Sequence, residues 1–116
     1  MTLASTVLLT DRIERLASFY GELLQKRPTW QSEDYAAFET PGSTLALFTV
    51  GGHDEHIRPG AAVAGENRSM KIELEVQDIE GTYRRLQGND EPYDWVRSPP
   101  AEMPWGTEIV VLQGPD

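Results

Sequence analysis

One pattern occurs twice in this chain and limits what it can fold into: a short alternating run that passes straight into a helix. The clearer copy is KIELEVQDIEGTYRRLQG, from Lys71 to Gly88. Ile72, Leu74 and Val76 alternate with Lys71, Glu73 and Glu75, the period of two expected of a half-buried strand. Asp78 then caps a helix on which Ile79, Tyr83 and Leu86 share one face, and Gly88 ends it. Displaced by 66 positions, the pattern lies over STVLLTDRIERLASFYGELL, from Ser5 to Leu24: Ser5 falls on Lys71, Leu8 on Leu74, Ile13 on Ile79 and Glu14 on Glu80. An even displacement preserves strand faces, so Ser5, Val7 and Leu9 look the same way as Lys71, Glu73 and Glu75. The repeat predicts two similar modules packed into one domain of 116 residues.

The remaining segments fit that division. Residues 3–9 read as the first strand, and Thr10 or Asp11 caps the first helix, with Glu14 completing a capping box. Gln25-Lys26-Arg27 suits a helix C-terminus, and Pro28 stops it. Three short strands follow over 29–32, 35–39 and 44–50, the last two separated by the Pro41-Gly42-Ser43 turn. The first module thus spans about 1–50. Residues 51–69, rich in Gly, Ala and charge without apolar period, read as a linker or loop. The second module spans about 70–116. Beyond its strand and helix come a turn at 89–92 and a strand at 93–97. An irregular connection through Ser98-Pro99-Pro100 and Met103-Pro104 leads to a strand at 107–113.

Composition excludes several classes of function. The net charge of −9, from 19 acidic and 10 basic residues, argues against nucleic acid, which is held largely by Lys and Arg on phosphate. It favours cationic ligands by the same electrostatics. No apolar run approaches the roughly 20 residues that cross a membrane, so no membrane association is expected. MTLASTVLL has no basic leader, and no signal peptide is expected. The absence of cysteine removes disulfides, thiolate metal sites and cysteine nucleophiles. A cytoplasmic protein fits these features. There is no phosphate loop, serine-nucleophile signature or cofactor fingerprint, so no cofactor is expected.

The ordered segments TDRIERLASFYGELL (Thr10–Leu24), YAAFETPGSTLALF (Tyr35–Phe48), EVQDIEGTYRRL (Glu75–Leu86) and MPWGTEIVVLQGPD (Met103–Asp116) resemble the vicinal oxygen chelate superfamily of glyoxalases, bleomycin-resistance proteins and extradiol dioxygenases. The resemblance implies an α+β fold of two βαβββ modules whose mixed sheets curve around a cavity, and it implies a homodimer. The second module lacks its last strand within this sequence, which leaves a sheet edge for a second chain or the 51–69 loop to cover. Metal-dependent members of the family place a histidine or carboxylate near the start of the first strand, a histidine at the equivalent point of the second module and glutamates on later strands. Here those positions hold Ser5 and Lys71, and the fourth-strand position falls near Phe48 or Thr49. A hydroxyl and an ammonium do not hold a divalent ion, so no metal is expected, and glyoxalase or dioxygenase activity does not carry over.

Candidate functional residues follow from faces and chemistry. Glu73 and Glu75 project from one strand face beside Lys71. They either solvate that face or, if enclosed, hold a cation or act as a general base. Trp30, Tyr35, Phe38, Phe48, Trp95 and Trp105 either fill the core or offer flat surfaces to a planar ligand. His53-Asp54-Glu55-His56 holds both histidines, but its spacing is not that of a helical metal motif, and it reads as solvated loop. Three functions stay open. The chain binds and sequesters a small, partly apolar, cationic drug or metabolite. Or it is a metal-free lyase, isomerase or dioxygenase with a glutamate base. Or it is a structural or regulatory dimer without a ligand.

Overall fold

The computed structural model describes residues 1–90 and 92–115, and nine helices and strands form among these described residues. Glu91, within the turn expected at 89–92, and Asp116, at the end of the terminal turn, lie outside the described residues. The chain divides into two compact units, Met1–Ser69 and Met70–Gly114, the former joined by Pro115.

The first unit follows the expected order. Strand β1 (Ser5–Thr10) leads to helix α1 (Ile13–Leu24), then to β2 (Thr29–Ser32), β3 (Tyr35–Glu39) and β4 (Thr44–Thr49). The sheet order is β1-β4-β3-β2, with β1 parallel to β4 and the other pairs antiparallel. The hairpin is closed by Thr40, whose N–H and hydroxyl both donate to the Ser43 carbonyl. That turn sets Tyr35 opposite Phe48, Ala37 opposite Ala46 and Phe38 opposite Leu45. Ala36, Phe38, Leu45 and Leu47 therefore share one face, and α1 covers it with Ile13, Leu16 and Ala17, all seven being buried. Gly21 lets the helix approach closely: a Cβ there would lie 3.8 Å from the Phe38 ring and 3.2 Å from the Lys26 carbonyl.

The start of α1 departs from the capping box. Its N-cap is Arg12, which has no side-chain cap, while the Thr10 hydroxyl accepts from the Arg12 N–H at 2.9 Å. The helix stops at Leu24, before Pro28, because Gln25 turns left-handed at φ 53° and its N–H donates to the Glu22 carbonyl.

A larger difference is helix α2 (Val50–His56), which occupies the start of the segment read as a loop. Its sequence, VGGHDEH, has no apolar period, and the helix is held by its N-cap instead. Thr49 Oγ1 accepts from the Gly52 N–H at 2.9 Å and donates to Asp34 Oδ1 at 2.7 Å, while the Thr49 N–H donates to the Asp34 carbonyl at 2.9 Å. One threonine thus ties the β2–β3 turn to the helix. Thr49→Val removes both side-chain bonds and is expected to cost about 1–2 kcal/mol, with Thr49→Ser close to wild type. Urea unfolding midpoints of the two variants check this.

In the second unit, helix α3 (Ile79–Gln87) forms as expected, with Asp78 Oδ1 accepting from the Gly81 N–H at 3.1 Å and Gly88 as its C-cap. Leu86 is buried, and Tyr83 meets Trp95 edge-to-face at 5.0 Å, seating the helix on β5. Strands β5 (Asp94–Glu102) and β6 (Glu108–Gln113) form a two-stranded antiparallel sheet. β5 runs through Pro99 and Pro100, where an irregular connection was expected. Register shifts on both sides of Arg97 absorb the prolines, which cannot donate to a regular ladder, and the Ser98–Pro99 bond is cis.

The strand expected over Lys71–Val76 is corrected by the structure: these residues join no sheet, and Leu74 and Val76 are 42% and 44% exposed. The physical reason lies in the first unit. There the equivalent strand, β1, bonds only to β4, the strand after the hairpin. The second unit has its hairpin, β5–β6, but no described strand after it. Alternation supplies a strand's faces and not its partner.

Candidate functional site

Strand register places the candidate residues of the first unit more firmly than composition does. On the face of its sheet opposite α1, three rows cross from β1 through β4 to β3. Ser5, Thr44 and Glu39 form one row, Val7, Ala46 and Ala37 the next, and Leu9, Phe48 and Tyr35 the third. The face is graded, polar at one end and aromatic at the other, with two buried alanines between.

At the aromatic end, Tyr35 and Phe48 meet at 5.5 Å between ring centroids, and His53 of α2 lies 5.9 Å from Phe48. Tyr35, Phe48 and His53 are all half-buried, and His53 Nδ1 is enclosed with no hydrogen-bond partner among the described groups. The histidine tetrad is thus split. His53 turns inward against Phe48, Asp54 Oδ1 accepts from the Gly60 N–H at 3.1 Å, and exposed His56 stands 3.9 Å from Glu55.

At the polar end, the Thr44 hydroxyl donates to Glu39 Oε2 at 2.9 Å, which holds the carboxylate over the row that begins at Ser5. Glu39 was missed in the sequence. The signal was present, since alternation from Tyr35 through Ala37 carries it onto the same face, but only the register shows that it shares a row with Ser5.

The other expected residues are distributed as follows. Phe38 has no exposed surface and belongs to the core beneath α1, so its ring offers no face to a ligand. Trp30 lies on the α1 side and is 44% exposed, lining an open depression of about 540 Å³ with Glu14, Lys26 and Arg27. That depression is shallow, and it lies on the face opposite the graded rows. In the second unit, Trp95 is half-buried between Tyr83 and Tyr93. Trp105 is 73% exposed at the tip of the β5–β6 hairpin, where the Met103 N–H donates to the Thr107 carbonyl and Gly106 adopts φ 94°. Lys71, Glu73 and Glu75 are all exposed.

The divalent ion that the resemblance implies does not suit these residues. Ser5 offers a hydroxyl, Lys71 an ammonium, and the neighbouring fourth-strand positions a phenyl ring and a hydroxyl already bonded to Asp34. Among the described residues, no three His, Cys, Asp or Glu side chains are grouped to hold a metal ion. None of the described helices is long and apolar enough to cross a membrane.

Comparison with known proteins agrees with this architecture. The family model of the glyoxalase/bleomycin resistance protein/dioxygenase superfamily matches residues 2–116. A crystal structure of a glyoxalase/bleomycin resistance protein/dioxygenase from Nocardioides is similar at 27% identity and a TM-score of 0.81, covering 99% of this chain and 77% of that one. A glyoxalase-related enzyme from Fulvimarina pelagi is similar in fold at 23% identity and a TM-score of 0.77, covering 99% of this chain and 81% of the other. No curated protein matches the sequence significantly. With the family matched from end to end and the α+β fold shared with these structures, the chain belongs to the glyoxalase/bleomycin resistance protein/dioxygenase superfamily.

Proposed function

We propose that this protein binds a small, partly apolar, cationic molecule without a metal ion, sequestering a drug or metabolite rather than transforming it. The observation that carries the reading is the graded face of the first unit. Rings at one end supply apolar contact, hydroxyls and a carboxylate at the other supply polar contact, and the donors a metal would need are replaced. The exposed carboxylates Glu73 and Glu75 and the net charge of −9 add a long-range preference for cations that solvent screens to a modest size.

Two measurements test the reading together. Elemental analysis of protein purified without chelator is expected to show substoichiometric Zn, Fe, Mn and Ni. A thermal shift panel of small aromatic amines and carboxylates, run with and without divalent metals, is expected to show stabilisation by amines that metals do not enhance. A stoichiometric ion, or ligand stabilisation that appears only with added metal, would sink the proposal.

A further inference from the structure

We infer that the outer edge of β2 is a self-association surface, on which a second copy of this chain pairs antiparallel about a two-fold axis at Trp30. In the sheet order β1-β4-β3-β2, strand β2 is bonded only to β3, and all four of its residues, Thr29–Ser32, are exposed. Its other edge meets no described strand and presents backbone donors and acceptors to solvent. Trp30, 44% exposed on the α1 side, stands at the middle of that edge beside the open depression it shares with Lys26 and Arg27. This edge lies in the first unit, unlike the second-module edge expected from the resemblance, and its pairing needs no ligand.

The charges around the strand single out the partner. The stretch Lys26-Arg27-Pro28-Thr29-Trp30-Gln31-Ser32-Glu33-Asp34 is basic at one end and acidic at the other, with Trp30 at its centre. Two copies laid antiparallel about Trp30 bring Arg27 of each towards Glu33 of the other, Lys26 towards Asp34, and Trp30 against Trp30. Lys26, Arg27 and Glu33 are exposed and form no ion pair among the described residues. Asp34 is half-buried, with Oδ1 already accepting from Thr49, and adds less. Opposite charges and paired aromatic rings favour a strand pair, and like charges set opposite one another disfavour it. Edges are commonly shielded by charge and by bulges, and the register shift between Trp30 and Ser32 shortens this one. Shielding, however, needs charges that repel a copy. Here the sign reverses along the strand, so a parallel copy is repelled and an antiparallel copy attracted. In a protein of net charge −9 this local attraction works against general repulsion, which keeps the association weak and selective for one register.

The test is sedimentation velocity of the whole protein from about 10 μM to 1 mM. A dimer that grows with concentration and recedes with added salt is expected. Arg27→Glu and Glu33→Arg should each raise its dissociation constant about tenfold, because each sets like charges together at both ends of the pair. Glu33→Arg is the sharper of the two. It lowers the net negative charge, and would strengthen any association limited by general repulsion alone. An equimolar mixture of the two variants should dimerise about as well as wild type, each copy supplying the charge that the other lacks. The register has its own readout, since the chain has no cysteine. Thr29→Cys mixed with Gln31→Cys under a mild oxidant should give disulfide-linked dimers faster than either variant alone, because pairing about Trp30 sets position 29 opposite position 31. Monomer throughout the concentration range would overturn the proposal. So would a dimer that ignores both charge reversals, a mixture that fails to restore it, or crosslinking no faster in the mixture than in the separate variants.

Discussion

Phe38→Ala is expected to destabilise the first unit by about 3–5 kcal/mol, the range for removing a fully buried phenyl ring. Phe38 has no exposed surface, stands opposite Leu45 across the hairpin, and lies under Gly21 of α1. Nothing near it can collapse to fill the space without moving the helix, because α1 is held against the sheet by Ile13, Leu16 and Ala17 on the same face. Natural domains have a net stability of about 5–15 kcal/mol, and small ones lie toward the low end. The variant is therefore expected to be largely unfolded at modest urea concentrations. Phe38→Leu, which restores most of the volume, should recover more than half of the loss. Equilibrium unfolding followed by tryptophan fluorescence measures both. A cost under 1 kcal/mol for Phe38→Ala would mean that the helix does not press on this ring.

The second large effect is expected at Gly52. Replacing a helical glycine by alanine ordinarily favours the helix by about 1 kcal/mol. Here a Cβ would lie 2.6 Å from Phe48 Cε1, 3.0 Å from Thr49 Oγ1 and 3.1 Å from the Asp34 Cβ. The first distance is too short to keep, and the ring is not free to swing away, since Tyr35 meets it on one side and His53 on another. Overpacking of this kind costs about 1–3 kcal/mol and outweighs the helix preference. Gly52→Ala is therefore expected to destabilise by about 1–2 kcal/mol net and to loosen α2, with faster amide exchange over Val50–His56. Gly51→Ala is the control. It is exposed in the same helix with nothing near its Cβ, and should be neutral or slightly stabilising.

These two positions also show what the sequence could and could not reveal. Phe38 was legible as a strand residue, since the short apolar run YAAF is followed by a Pro-Gly turn. Its burial was not legible, because that depends on which face α1 covers. α3 was legible throughout, with its cap, apolar stripe and stop within its own length, whereas α1 was legible in its stripe but not in its N-cap at Arg12 or its stop at Gln25. α2 was not, because what holds it is a hydrogen bond from Thr49 to Asp34, fifteen positions back. The strand over Lys71–Val76 failed for a related reason, its faces being local while its partner is not. Glu39 was overlooked because only the pairing with Thr44, and of Thr44 with Ser5, turns an exposed glutamate into part of a row.

The unpaired segment from Lys71 to Val76 has a consequence for solubility. A run that joins no sheet and exposes Leu74 and Val76 is open to stacking against identical chains. In such a stack, aligned in register, Lys71 would lie over Lys71, Glu73 over Glu73 and Glu75 over Glu75, three columns of like charge. The alternating charges thus act as gatekeepers on a stretch whose apolar residues would otherwise recruit copies of themselves. Neutralising Lys71, Glu73 and Glu75 together would remove that repulsion and is expected to raise the tendency of this run to self-associate.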